Sequence, residues 1–404
     1  MNAYQPLKGY RVLELASVLA GPSIGMFLAE LGADVIKVEN LVTEGDVTRK
    51  WKLPTEADDT DISGYFSCVN WGKRSIAVDI TSESGLEIVY RLAKSTDIIL
   101  ASYKPGDAEK LKVDYSTFTR LNRGIIYAHL TGYGLLNNRA GFDAIIQAET
   151  GFTYMNGESD GPPTKMPVAL MDILAAHHLK EAILLSLLKR EKGGEGSYID
   201  ASLFRAGVSS LANQATNWLV GSTIPRRMGS DHPNIVPYGT IFNTSDNKGI
   251  VLAVGTEKQF RELCAVIGQP DLASDDRYST NFNRVRNKEQ LNSELQKIIG
   301  RYDRTTILKM LDEKRIPAGG VFNMKEVFET PEAGAMIIER KIDKNSIRGV
   351  SSIAFSVEGF SENRTLLPPP HYGEHSLEVL IKYAGYNDNE ITRLTDQNIV
   401  YAKE

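Results

Sequence analysis

The chain has 404 residues, 42% of them hydrophobic and 24% charged, enough to bury a large core and to form two or three domains. Its 46 Lys and Arg against 51 Asp and Glu leave a formal charge of -5, so there is no broad basic field to hold nucleic acid or a membrane surface, and neither is an expected partner. Cys68 and Cys264 stand far apart, which argues against a disulfide framework or a thiolate zinc site. No stretch approaches the ~20 apolar residues of a membrane-spanning helix and the N-terminus has no apolar leader, so a reducing cytoplasm is the expected location.

Residues 11 to 16 (RVLELA) predict a buried strand, and Gly21-Pro22 then opens an apolar helix that stops at Gly32. A second strand follows from Asp34 to Val38. The pattern continues with strands at 75 to 80, 97 to 101 and 125 to 130, and with a helix over about 83 to 94. In that helix Leu86, Val89, Tyr90 and Ala93 form one apolar stripe. Such alternation predicts an α/β fold, a Rossmann-like, doubly wound, largely parallel sheet. Residues 173 to 188 are apolar almost all round, as in a helix buried on most faces or packed against a second subunit. The turn-rich run near 222 reads as a linker. The expected domains are therefore 1–221 (large, with the long helix), 222–335 (smaller, α+β) and 336–404 (returning to the large domain).

The turn ASVLAGPSIG at 16 to 25, with Glu39 ending the next strand, superficially resembles a dinucleotide site. Gly21 and Gly25 do not make G-x-G-x-x-G, however, and a tight turn feeding a helix explains them without a ligand. Two basic clusters, Lys73-Arg74 and Lys104 with Lys110, stand at or beside predicted strand ends and suit phosphates, although from pattern alone solvated surface charge is the stronger explanation. The histidines offer no ligand pair, so no metal is expected. There is also no G-x-S-x-G elbow and no P-loop. Asp172, before the long apolar helix, has a default role as its N-cap. There the helix dipole would keep the carboxylate ionised, and an ionised carboxylate can attack a thioester because a thiol of pKa ~8.5 leaves readily. Position alone does not single Asp172 out among 51 acidic residues.

Ten segments in order, over nearly the whole chain, resemble the class III coenzyme A transferases, the family that includes formyl-CoA transferase and carnitine CoA-transferase. They include VLELASVLAGP at 12 to 22, LGADVIKVE at 31 to 39, GKRSIAVDI at 72 to 80, YKPGDAEKL at 103 to 111, DGPPTKMPVALMDI at 160 to 173 and PPPHYGEHSLEVL at 368 to 380. The resemblance implies that Asp172 attacks an acyl-CoA to give a mixed anhydride, which an acceptor carboxylate and the coenzyme A thiolate then resolve. Coenzyme A and its acyl thioester are substrates, and no prosthetic group is implied. By the same resemblance Val18, Leu19, Ala20, Asn40, Val78, Ser102, Tyr103 and Lys110 contact the coenzyme, joined by the basic residues Lys73, Arg74 and Lys104. Tyr133, Arg139, Phe142, Asp143 and Gln147 line the acid pocket. Leu19 and Asn40 replace a glutamine and an arginine of formyl-CoA transferase, which speaks against formyl and oxalyl substrates. An interlocked homodimer is implied as well. The nearest rival, an α-methylacyl-CoA racemase of the same fold, needs a histidine where Phe142 stands, and phenylalanine takes no proton. A non-catalytic coenzyme A-binding protein is a further alternative, which the presence of Asp172 argues against.

Overall fold

A computed structural model describes residues 5–342, 345–360 and 366–403. The chain divides into two compact units, one comprising Met1–Thr150, Met166–Thr216 and Met336–Glu404, the other Gly151–Lys165 and Asn217–Ala335. The expected division places Gly151–Lys165 in the first domain, whereas this segment groups with the second unit.

Strand β1 (Arg11–Leu15) leads through a short turn into helix α1 (Ala20–Glu30), and β2 (Asp34–Asn40) follows. Next come β3 (Lys73–Val78), α2 (Glu83–Ala93), β4 (Ile98–Ala101) and β5 (Ile126–Thr131). Ser82 caps α2 by accepting from the Gly85 N–H, and Leu86, Val89 and Ala93 are buried as their spacing predicts. Leu86 and Val89 each contribute roughly 1.5–3 kcal/mol by leaving water. Helices α3 (Asp143–Glu149) and α4 (Leu170–Gly193) precede β6 (Ser197–Ser202).

In the second unit β7 (Tyr238–Asn243), β8 (Gly249–Ala253) and β9 (Ala318–Gly320) form an antiparallel sheet. Phe260, Leu263, Leu295 and Ile307 belong to a core of its own. The chain then returns to the first unit with the hairpin β10 (Ile337–Ile342) and β11 (Asn345–Val350) and ends in β12 (Val400–Tyr401).

The first unit's sheet has the order β12-β3-β2-β1-β4-β5-β6 and is parallel except for β12. Strand order reverses between β1 and β4, so a crevice opens beyond their carboxyl ends, the place where open α/β sheets bind ligands.

Four charges are buried beneath that crevice. Glu14 of β1 pairs with Lys37 of β2 at 3.0 Å and with Lys73 of β3 at 2.8 Å, and Lys37 also pairs with Asp46 at 3.0 Å; all four side chains are 0–1% exposed. Gly25 makes room for them: a Cβ there would lie 2.0 Å from Glu14 Oε2. Lys73 is therefore no coenzyme contact. It opens β3, at the wrong end of the strand for a ligand, and its Nζ donates to Glu14, the Pro22 carbonyl and Asn70. Burial pulls its pKa down to about 8. Arg74, beside it, pairs with Asp34 and with Glu378 (3.2 Å), again at the amino end of the sheet. We predict that Glu14→Gln, which leaves two buried ammonium groups without their shared carboxylate, costs about 3–5 kcal/mol in urea unfolding. Adding Lys73→Met should recover part of that loss, and an unchanged urea midpoint in Glu14→Gln would contradict the pairing.

Candidate active site

The turn between β1 and α1 is the first component. Val18 has φ +72°, a conformation costing on the order of 1–3 kcal/mol for a β-branched residue. Its N–H donates to the Asp46 carboxylate at 3.1 and 3.3 Å. The first helical bond of α1 runs from the Ser23 N–H to the Leu19 carbonyl, and Pro22 has no N–H. The N–H groups of Leu19, Ala20 and Gly21 thus have no partner within the helix. Together with Ser17, Val18 and Asp172, these three residues line a cavity of about 250 Å³.

Asp172 is the second component. It is the third residue of α4, whose cap is Ala169, so it is not the N-cap that its sequence position predicts. Asp143 does the satisfying instead. Its Oδ1 accepts the Met171 N–H at 2.8 Å, and its Oδ2 accepts from Gln147 Nε2 at 2.7 Å. Gln147 is fully buried. Its Nε2 also reaches the Val168 carbonyl at 3.3 Å, and its Oε1 accepts the Met166 N–H at 3.0 Å. It therefore clamps the strand of chain leading to Asp172 and is not a pocket residue. Asp143 borders the cavity, yet both of its oxygens are engaged.

Burial, and then the negative charge of Asp143, push the Asp172 carboxyl up to about pH 7. The positive end of α4 acts in the opposite sense, favouring the carboxylate. Full ionisation at neutral pH, expected from the dipole alone, is thus replaced by a group that titrates near neutrality. A neighbour that sequence reasoning missed is Tyr65, whose hydroxyl is pushed up to about 12 by burial and then by the charge of Asp172.

The other expected site residues separate into groups. Ser102 and Tyr103, beyond β4, line both the Asp172 cavity and a second one of about 300 Å³, which Asn40 and Val78 also border. Lys104, Arg139 and Phe142 line the Asp172 cavity. Lys110 lines neither; it is exposed and pairs with Asp107 at 3.2 Å. Tyr133 lies outside the lining and donates to Glu149 at 2.7 Å. Arg139 pairs with the same Glu149 at 2.6 Å, its guanidinium 4.6 Å from the Tyr133 ring centre. Glu39 is fully engaged by Arg49 (2.6 Å) and Ser75 (2.6 Å), so it is not poised for a ribose. Lys37 and Asp46, both bordering the second cavity, were missed. A usable signal was present in two charges, Lys37 and Glu39, on one face of a strand whose centre is otherwise apolar (Val35, Ile36 and Val38), and in the turn-forming Asp46-Val47-Thr48.

Comparison with known proteins decides what this crevice belongs to. Residues 7–376 match the family model described as CoA-transferase family III. The chain belongs to CoA-transferase family III. A succinate–glutarate CoA-transferase of Agrobacterium fabrum is 37% identical over 389 residues, covering 94% of this chain and 96% of that protein. The human succinyl-CoA:glutarate CoA-transferase is 33% identical, covering 99% and 91%. A crystal structure of a CAIB/BAIF family protein from Brucella suis superposes with a TM-score of 0.85 at 35% identity, covering 94% of this chain and all of that one. As a member of the family, this CoA-transferase moves coenzyme A from an acyl-CoA to a carboxylic acid. Among the described residues no group of His, Cys, Asp or Glu is arranged to hold a metal ion, and no helix is long and apolar enough to cross a membrane.

The opposed influences on Asp172 generate a direct test. With aspartate carboxyl carbons labelled, the Asp172 NMR resonance should titrate near pH 7, and Asp143→Asn should move its midpoint downwards by removing the repelling charge. A midpoint in the ordinary aspartate range in the wild-type protein would overturn this description.

Proposed function

We propose that Asp172 is the nucleophile of this CoA-transferase and that the transferred acyl group passes through a mixed anhydride on its side chain. The observation that carries the proposal is a carboxylate whose pKa is raised by burial and by the charge of Asp143, lining one cavity with Leu19, Ala20 and Gly21 at the start of α1. A carboxylate of pKa near 7 is a stronger nucleophile than a solvated aspartate, and it is ionised in about half of the molecules at neutral pH.

The steps balance without external acid or base. An Asp172 oxygen bonds to the thioester carbonyl carbon, the carbon–sulfur bond breaks, and coenzyme A departs as thiolate. The acceptor carboxylate attacks the aspartyl carbonyl of the anhydride, releasing the donor's acid and forming a new anhydride. The thiolate then attacks the acceptor's acyl carbon and frees the Asp172 carboxylate. Leu19, Ala20 and Gly21 border the same cavity, and their N–H groups, which α1 leaves unpaired within the helix, suit the oxyanion formed at each addition.

The coenzyme is proposed to lie along Val18, Leu19 and Ala20 and past Ser102 and Tyr103, with Asn40 and Val78 beside its nucleotide. Both cavities share Ser102 and Tyr103, which supports this course. Lys104 borders the Asp172 cavity and can meet a phosphate; Lys110, exposed and paired with Asp107, would exchange that partner for a phosphate. Succinyl-CoA as donor and a short dicarboxylate such as glutarate as acceptor follow from the names of the similar enzymes. Arg139 would then meet the distal carboxylate in place of Glu149, with Phe142 over the chain between. An interlocked homodimer belongs to the same reading, supported by the exposed Leu185 and Leu188 on α4. The free thiols of Cys68 and Cys264 agree with a cytoplasmic location.

Incubation with succinyl-CoA and hydroxylamine, followed by peptide mass spectrometry, should find the hydroxamate at Asp172 and nowhere else. Asp172→Asn should lose more than about a thousandfold in turnover, as expected when a covalent nucleophile is removed. Normal turnover by that variant would end the proposal. Arg139→Ala should raise KM for glutarate more than for a monocarboxylic acid of equal length, and equal effects would remove Arg139 from the acid site.

A further inference from the structure

We propose that Asp46 is a positioning residue for the transfer reaction: with Lys37 it clamps the turn before α1 and holds Val18 in the left-handed conformation that places Leu19, Ala20 and Gly21 in the cavity that Asp172 also lines. This rests on the anhydride reading and adds a residue that borders the neighbouring cavity, not that of Asp172.

Both ends of the turn are held by one ion pair. Lys37 Nζ donates to the Ala16 carbonyl at 2.9 Å, and the Asp46 carboxylate accepts the Val18 N–H at 3.1 and 3.3 Å. The two side chains are joined at 3.0 Å and are each 1% exposed. Asp46 is itself fixed, because its Oδ1 accepts the Thr48 N–H at 3.1 Å and the Thr48 hydroxyl at 2.8 Å. Burial of so well-determined an acceptor is what a strained residue requires, since strain persists only where the surroundings over-determine it.

Valine makes the clamp necessary. A glycine would take φ +72° freely, whereas a β-branched side chain resists it. Without the acceptor, the Ser17–Val18 peptide turns towards the extended region, and the first turn of α1, which begins two residues later at Ala20, moves with it. Displacement of oxyanion donors by about an ångström can cost on the order of a hundredfold in rate.

In Asp46→Asn the Oδ1 contacts to Thr48 and the longer one to the Val18 N–H survive, while an NH₂ group replaces the oxygen nearest to that N–H and to the Lys37 ammonium, so that the Val18 N–H meets a donor in place of its nearer acceptor. The experiment compares D46N in the wild-type background with D46N in a Val18→Gly background, using succinyl-CoA and glutarate and measuring kcat. The clamp predicts a loss of about ten- to a hundredfold in the first comparison. In the second it predicts less than about threefold, because glycine adopts the angle without strain and needs no clamp to reach it. Thermal stability should fall in both, because Lys37 loses one of its two carboxylate partners either way and keeps Glu14.

An equal kcat loss in both backgrounds, or none in the first, overturns the proposal. If D46N does not fold, Val18→Pro tests the same link with Asp46 in place. Proline cannot reach positive φ, so kcat should collapse, and an unchanged kcat overturns the clamp. Hydroxylamine trapping on the wild-type protein runs alongside. An absent Asp172 adduct refutes the anhydride reading, whereas a present adduct with an equal D46N loss in both backgrounds refutes only the clamp.

Discussion

Glu14 sits in the middle of the sheet with two lysines for company, and the geometry of the crevice follows from that. A buried carboxylate and ammonium each lose several kcal/mol of hydration, which is offset only when partners meet at hydrogen-bond distance. Glu14, Lys37, Lys73 and Asp46 balance as two negative and two positive groups drawn from β1, β2, β3 and the chain after β2. A small shift of any of these elements would leave a charge uncompensated, so the network tolerates one arrangement. Gly25 lets α1 close over Glu14, and the turn between β1 and α1 is tied to the same charges through Ala16 and Val18.

Asp172 stands under the reverse condition. Burial and the charge of Asp143 hold its proton to about pH 7, while the end of α4 pulls towards ionisation. Asp143 takes both parts at once. Its carboxylate satisfies the Met171 N–H that α4 leaves free, and its charge repels that of Asp172. The cost of keeping an unpaired carboxylate is met by Gln147, which anchors the preceding chain with contacts to Met166 and Val168. Under the proposed mechanism the reactive group is thus a desolvated carboxylate whose neighbours Asp143 and Gln147 are themselves hydrogen-bonded.

Much of the fold was legible. The apolar runs of β1, β2, β4 and β5 and the stripe on α2 stand at the expected residues, because a strand buried on both faces and an amphipathic helix leave distinct periodicities. The edge strand β6 was not, since SYIDAS is half polar and partly exposed, and neither was the hairpin of β10 and β11, whose pattern is charged. Lys73 and Arg74 were placed with the coenzyme because a basic pair near a strand suits phosphate. They open β3 at the amino end of the sheet, and their partners Glu14, Asp34 and Glu378 are not neighbours in sequence.

By itself the sequence determined the alternation of strands and helices, the apolar length of α4 and the presence of Asp172 at its start. These depend on residue types at fixed spacing along one segment. Only the tertiary structure decided which charges neutralise one another, that Asp143 and not Asp172 satisfies the end of α4, and that Val18 is held at a strained angle by Asp46. Coulombic attraction and hydrogen bonding act over a few ångströms, and the separations that matter join residues 23, 28 and 59 positions apart along the chain.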